Sequence, residues 1–111
     1  MADFVSASRA ALDDEGDSAK NVAAVLAGAV YEDAIRRLGS ELAGVTDRPK
    51  LVDVLERLKA CGILRDSQFS IAQSYLSFRN NALHANWEKV ERESVASVLG
   101  FVEQLLLRYF S

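Results

Sequence analysis

The chain has 111 residues, half of them hydrophobic and 26% charged, the profile of one compact domain with one core. At that size little apolar surface remains for a second core or a deep enclosed chamber, so a large cofactor is disfavoured. Net charge is −3, but five acids and one base fall in the first 17 residues and the remainder carries 11 acids and 12 bases; a near-neutral body suits local phosphate recognition and excludes a broad electrostatic grip on a long duplex.

The N-terminal MADFVSASRA lacks the basic start and long apolar stretch of a signal peptide, and no apolar run approaches the roughly 18 residues of a membrane span. A cytoplasmic location is expected, as a complete small protein or as one module of a larger one. Phe4, Val5, Ala11 and Leu12 allow a short extra helix within residues 1–17; the alternative is a loose acidic lead carrying Asp3, Asp13, Asp14, Glu15 and Asp17. Residues 18–111 form the domain proper.

Proline occurs once, at Pro49, and glycine is sparse, so strand-and-turn architecture lacks its punctuation and helices should dominate. Asp17-Ser18 is placed to cap a long helix reaching Leu42, with Val22, Leu26, Ala29, Tyr31, Ile35, Leu38 and Leu42 near helical spacing and Gly44 as its stop. On that helix Glu32 with Arg36, and Asp33 with Arg37, are spaced as i,i+4 ion pairs. Pro49 suits the first turn of a shorter helix that buries Leu51, Val54, Leu55 and Leu58 and ends at Gly62. Cys61 reads as a small buried filler. As the single cysteine it excludes an intramolecular disulfide, and with one histidine beside it no zinc site of familiar spacing can be written. Asp66 is placed to cap a third helix over Ser67 to His84, and a last one runs from near Glu91 through Val95, Val98, Leu99, Val102, Leu105, Leu106 and Tyr109. These four amphipathic helices with short connections point to an antiparallel bundle.

The third bundle helix is unusual. Between Ser67 and Trp87 the only charge is Arg79. Winding at about 100° per residue gathers Phe69, Ile71, Ala72, Tyr75, Leu76, Phe78, Ala82 and Leu83 on one face, and Ser70, Gln73, Ser74, Ser77, Asn80, Asn81 and His84 on the other. A polar yet uncharged face suits contact with another chain or the floor of a site better than open solvent. Arg79 falls near the middle of the apolar face, where a guanidinium is costly unless it escapes along its stem or meets specific acceptors. A carboxylate on a neighbouring helix, Glu32 or Asp33, is the structural explanation. His84, the only histidine, stands near a helix C-terminus, where imidazoles commonly cap carbonyls. Trp87 reads either as a hydrophobic plug at the bundle end or as a base-stacking ring.

The run Arg79-Asn80-Asn81-Ala82-Leu83-His84 resembles the R-N-x-x-x-H signature of HEPN domains, small all-helical bundles of prokaryotic toxin, phage-defence and RNA-processing proteins. There the signature lies at the end of the third bundle helix. The following ALHANWEKVERESVASVLGFVEQLL resembles the family's link and closing helix, and YEDAIRRL its acidic-then-basic pattern; the resemblance spans roughly residues 20 to 110. It implies a homodimer that brings two such third helices over a shared cleft and, in active members, a metal-independent endoribonuclease. Arg79 would hold the phosphate and His84 would act as acid or base, supported by Asn80, Asn81, Glu32 and Asp33, with no metal and no cofactor. Asn80 would orient the imidazole or bind the phosphate; otherwise it is an ordinary polar helix-end residue. RNA is then the expected substrate and a cognate antitoxin an expected partner. Many HEPN domains are inactive modules for dimerisation, nucleotide binding or partner binding, and that reading stays open here. So does a third one, an antitoxin or adaptor that buries this helix against a different protein.

Overall fold

Sparse glycine and proline do yield a chain of helices. The computed structural model describes residues 2–13 and 16–110. Asp14 and Glu15 of the acidic lead lie outside the described residues, as do the side chains of Asp3, Phe4 and Asp13. In chain order the helices are α1 (Ala2–Asp13), α2 (Asp17–Leu42), α3 (Leu51–Ala60), α4 (Ser67–Leu83) and α5 (Arg92–Phe110), with one 3-10 turn, Trp87–Lys89, before α5. No strand occurs among the described residues. None of these helices is long and apolar enough to cross a membrane.

α2 is the axis of the molecule. Its 26 residues rise about 39 Å, close to the 41 Å long dimension of the protein, and α1, α3, α4 and α5 all pack on it. Such crowding explains its buried residues, Ala23, Ala24, Ala27, Gly28, Val30, Tyr31, Ala34, Ile35, Leu38 and Gly39. Small side chains let neighbouring backbones approach from several sides, and the larger Tyr31, Ile35 and Leu38 fill the centre. Three residues expected in the core, Val22, Ala29 and Leu42, are exposed, and Leu26 is half-buried. Tyr31 is fully buried and donates its hydroxyl to the carbonyl of Ala72 at 2.6 Å. Burial pushes its phenol well above the usual range, against a smaller opposing pull from the Arg79 charge.

The helical alternative for the N-terminus holds. α1 lies on α2 and α5, with Val5 buried and the Ser8 hydroxyl donating to Ala23 O at 2.8 Å. Arg9 pairs with Glu103 of α5, and the Arg92 guanidinium donates to the carbonyl of Leu12, tying the C-terminal half of α1 to α5.

Helix limits follow the glycines better than the expected caps. Gly44 and Gly62, with φ of 64° and 75°, stop α2 and α3 in the left-handed region that glycine enters freely. At α3 the amide of Ile63 donates to Leu58 O at 2.9 Å and that of Gly62 to Lys59 O at 3.0 Å, the two bonds of a Schellman closure. N-terminal expectations need correction. Gly16, not Asp17 or Ser18, is the N-cap of α2; Asp66 holds the N-cap position of α4 at φ 49° without a side-chain cap bond. Pro49 precedes the N-cap Lys50 and so lies outside the first turn of α3. Cys61, expected to be buried, is exposed, because it follows the last turn of α3 on the solvent side of the closure.

α3 buries Leu51, Val54, Leu55 and Leu58 as its spacing predicts, at roughly 1.5–3 kcal/mol for each such side chain. α4 buries Phe69, Ala72, Phe78 and Ala82 and half-buries Tyr75 and Leu76. Ile71 and Leu83, placed on the same face by the helical wheel, are exposed, Leu83 to 64%. The buried stripe is narrower than the apolar one because α4 meets α2 and α3 along one side.

Candidate functional site

The crossing of α4 over α2 is built around a glycine. A Cβ placed on Gly28 would lie 3.7 Å from the Arg79 Cα, so the two helices approach closely at this point. The Arg79 backbone therefore faces α2, and its side chain must find an acceptor along that helix. Four residues on, it does: Nε and Nη2 donate to Glu32 Oε1 at 3.1 and 2.7 Å. Nη1 donates to Asn80 Oδ1 at 2.7 Å. The other carboxylate oxygen of Glu32 accepts from Arg36 Nε at 2.9 Å, and Arg36 Nη1 donates to the Pro49 carbonyl at 2.9 Å. Glu32 thus bridges two guanidiniums, an ordered cluster with one positive charge in excess.

Side chains of Arg79 and Glu32 retain 22% and 26% of their exposure, so the cluster is half-buried and open to an arriving anion. Burial acts to raise the Glu32 carboxyl, but hydrogen bonds and charge from Arg36 and Arg79 outweigh it and hold the group below its ordinary value. The carboxylate therefore stays charged and keeps Arg79 aimed. Of the five N–H groups of a guanidinium, three on Arg79 are engaged, which leaves two without a partner among the described residues.

Asp33 does not join. One residue further round α2, it is exposed and makes no ion pair among the described residues; the expected Asp33–Arg37 pair is replaced by Arg37–Glu41 at 3.5 Å, with the Arg37 guanidinium also over the Phe110 ring. Asn80 meets Arg79 through its side-chain carbonyl and His84 only through the backbone, its main-chain carbonyl accepting from the His84 amide at 3.0 Å. Asn81 serves the end of the helix, its Oδ1 accepting from Asn86 Nδ2 at 3.3 Å and its backbone carbonyl from the Asn86 amide at 2.8 Å.

That amide bond is one half of a second Schellman closure; the other is Ala85 N–H to Ala82 O at 3.3 Å. His84 is its C-cap residue, and Ala85 occupies the left-handed position at φ 57°, where glycine is usual. The imidazole is exposed, without a side-chain hydrogen bond among the described residues, so the structure places His84 on the same helix as the Arg79 cluster but not in it. Trp87 packs half-buried against the core beyond this turn, its carbonyl accepting from Lys20 Nζ at 3.2 Å.

Two hollows flank Arg79. One, of about 140 Å³, is nearly apolar and lined by Val25, Gly28, Ala29, Ala82 and Leu83 beside the Arg79–Glu32 pair. The other, of about 350 Å³, lies toward α3 and is lined by Arg36, Lys50, Leu51, Val52, Leu76, Arg79 and Asn80. Arg36 and Lys50 escape sequence reasoning as site residues. Arg36 reads there only as an ion-pair partner, and no spacing marks Lys50, since the packing of α3 on α2 and α4 is what brings it beside Arg79. Among the described residues no group of three His, Cys, Asp or Glu side chains is placed to hold a metal ion.

Fold and site together define an all-helical domain with an arginine–carboxylate cluster at one helix crossing and an exposed histidine at the end of the same helix. Residues 9–111 match the family model described as a domain of unknown function, DUF4145, and the chain belongs to that family. No curated protein and no solved structure matches the chain.

Proposed function

We propose that the protein is a HEPN-type endoribonuclease, its α2, α3, α4 and α5 forming the antiparallel four-helix bundle of that class and α1 an added helix. It acts in the cytoplasm as a homodimer through α4, in a toxin or phage-defence setting, on single-stranded or loop RNA and without a metal. The observation that carries this reading is the pairing of a fixed, half-buried Arg79 with an exposed His84 at the end of the same helix.

Each step has a group suited to it. The RNA 2′-oxygen attacks phosphorus as its proton passes to a base, charge grows on the non-bridging oxygens, and the 5′-oxygen leaves with a proton, giving a 2′,3′-cyclic phosphate and a 5′-hydroxyl. Arg79 holds the phosphate oxygens with the N–H groups Glu32 leaves uncommitted, and being always charged it stabilises the crowded anion at any neutral pH. Imidazole is the side chain suited to moving a proton in this range. With one histidine per chain, a second copy supplies the other proton-transfer group, so that one His84 is the base and its counterpart the acid. Trp87, three residues beyond His84, packs half-buried at the end of the bundle and is the ring offered to a base.

Cleavage of total RNA and tRNA in EDTA tests this. Wild type should cut, and His84→Ala and Arg79→Ala, each checked for folding by circular dichroism, should lose at least about 100-fold, the scale of acid–base and charge-stabilising groups. Full activity in a folded His84→Ala would overturn the assignment.

A second reading is an inactive module for dimerisation, nucleotide binding or partner binding, including docking of a cognate antitoxin. It is favoured by apolar surface beside the cluster, where Val22, Val25 and Leu83 are 53%, 49% and 64% exposed. Uncut RNA from a well-folded, dimeric wild type would move the assignment there.

A further inference from the structure

The hollow on the α3 side of Arg79 has a composition that the catalytic cluster does not require. Its walls are Arg36, Lys50, Arg79 and Asn80, its floor is Leu51, Val52 and Leu76, and no carboxylate lines it. Glu32 answers two of the three cations from behind. Lys50 is answered by none: it is exposed, at the start of α3, and makes no ion pair among the described residues. In a chain of net charge −3, this leaves a local excess of two positive charges around a cleft of about 350 Å³. An ammonium on a flexible stem binds phosphate as a point charge, and an apolar floor suits the sugar or the face of a base. The opposite hollow, about 140 Å³, is apolar but smaller, has no lysine and carries the Glu32 carboxylate beside Arg79.

We infer that this cleft is a phosphate-and-sugar subsite for the nucleotide adjoining the scissile one, with Lys50 as the residue that holds the neighbouring phosphate and Arg36 fixed between Glu32 and Pro49 as its wall. The strand then runs from His84 past Arg79 toward the start of α3. This rests on the ribonuclease reading for which phosphate is cut, and not for whether a strand is bound.

The test is binding of a short, labelled, single-stranded 2′-O-methyl oligoribonucleotide, which lacks the attacking hydroxyl and stays intact. Lys50→Ala should weaken binding about fivefold near 0.1 M salt and reduce the slope of log affinity against log salt by about 0.7, the loss of one phosphate contact. Arg57→Ala removes a charge from the same helix at a cleft that also contains Asp53 and Glu56 and should leave both within twofold. Equal losses in the two variants, or no binding by wild type, would overturn the subsite. Competition by adenosine monophosphate as strong as by the oligonucleotide, with the same dependence on Lys50, would reassign the cleft to free nucleotides and overturn the strand path. Cleavage separates the two readings: a wild type that binds with Lys50 dependence but cuts nothing sinks the ribonuclease and keeps the strand site, while cleavage with binding indifferent to Lys50 does the reverse.

Discussion

α2 meets α3 and α4 at two glycines eleven residues apart, and the two crossings differ in kind. At Gly39 an added Cβ would sit 2.6 Å from Val54 Cγ1; at Gly28 the nearest atoms, on Arg79 and Ala82, stand 3.7 to 3.9 Å away. The first crossing is tightly packed at the helix contact and backed by the four buried side chains of α3, with a hollow of about 380 Å³ lined by Arg36, Val45, Asp47, Arg48 and Val54 at its edge. At the second there is room for a methyl group, a half-buried ion cluster and a hollow on either side. The helix contact itself is tight at one crossing and looser at the other, where the Arg79–Glu32 pair sits.

Substitution at the two glycines is the strongest way to break that contrast. Val54 is β-branched and stiff, so it cannot yield to a methyl group. Gly39→Ala should cost about 1–3 kcal/mol and lower Tm by roughly 5–15 °C, even after the gain in helix propensity. Gly28→Ala meets only ordinary contacts and should be neutral or up to about 1 kcal/mol stabilising. Thermal melts of the pair decide the matter, and equal shifts would show that the crossings are packed alike.

The ion cluster gives the next largest effect. Because Arg36 and Arg79 hold the folded Glu32 carboxyl below its unfolded value, its contribution is complete above about pH 4.3 and is lost as acidification carries the folded group through its lowered pKa. Glu32→Gln should therefore cost about 1–2 kcal/mol at pH 7, leaving two half-buried guanidiniums without their counter-charge. It should also flatten the acid limb of the stability profile. Denaturant titrations from pH 7 to 3 read both effects, and an unchanged acid limb would mean that the pair is a loose surface contact of negligible worth.

The α3 crossing was largely legible in the sequence and the α4 crossing only in part. Leu51, Val54, Leu55 and Leu58 are large, periodic and bounded by Gly62, so hydrophobic spacing alone finds both face and end. Arg79 was legible as an anomaly, a cation on an apolar face that needs a carboxylate, and the structure supplies Glu32 rather than the neighbouring Asp33. The buried side of α2 was hidden because alanine and glycine carry little hydrophobic signal, while the conspicuous Val22 and Leu42 face outward. A helix covered from several sides has no single phase for a wheel to detect. Arg36 was legible as the i,i+4 partner of Glu32; its place on the cleft, and that of Lys50, come from tertiary packing, which residue spacing within one helix does not encode.

The smallest effect probes the ends of the two helices. α3 and α4 finish in the same closure, but α3 uses Gly62 at the left-handed position and α4 uses Ala85, at φ 57°. A Cβ in that conformation costs roughly 1–2 kcal/mol, part of which glycine returns as greater freedom of the unfolded chain. Ala85→Gly should accordingly stabilise the fold by about 0.5–1 kcal/mol, and Gly62→Ala should destabilise it by a similar amount. His84 is the residue immediately before this strained alanine, and strain retained at a site is intelligible where it holds a neighbouring group in place. An Ala85→Gly protein that melts higher but cuts RNA more slowly would connect the strain to the orientation of His84. A protein that melts lower would show that Ala85 is relaxed and that the two closures are equivalent.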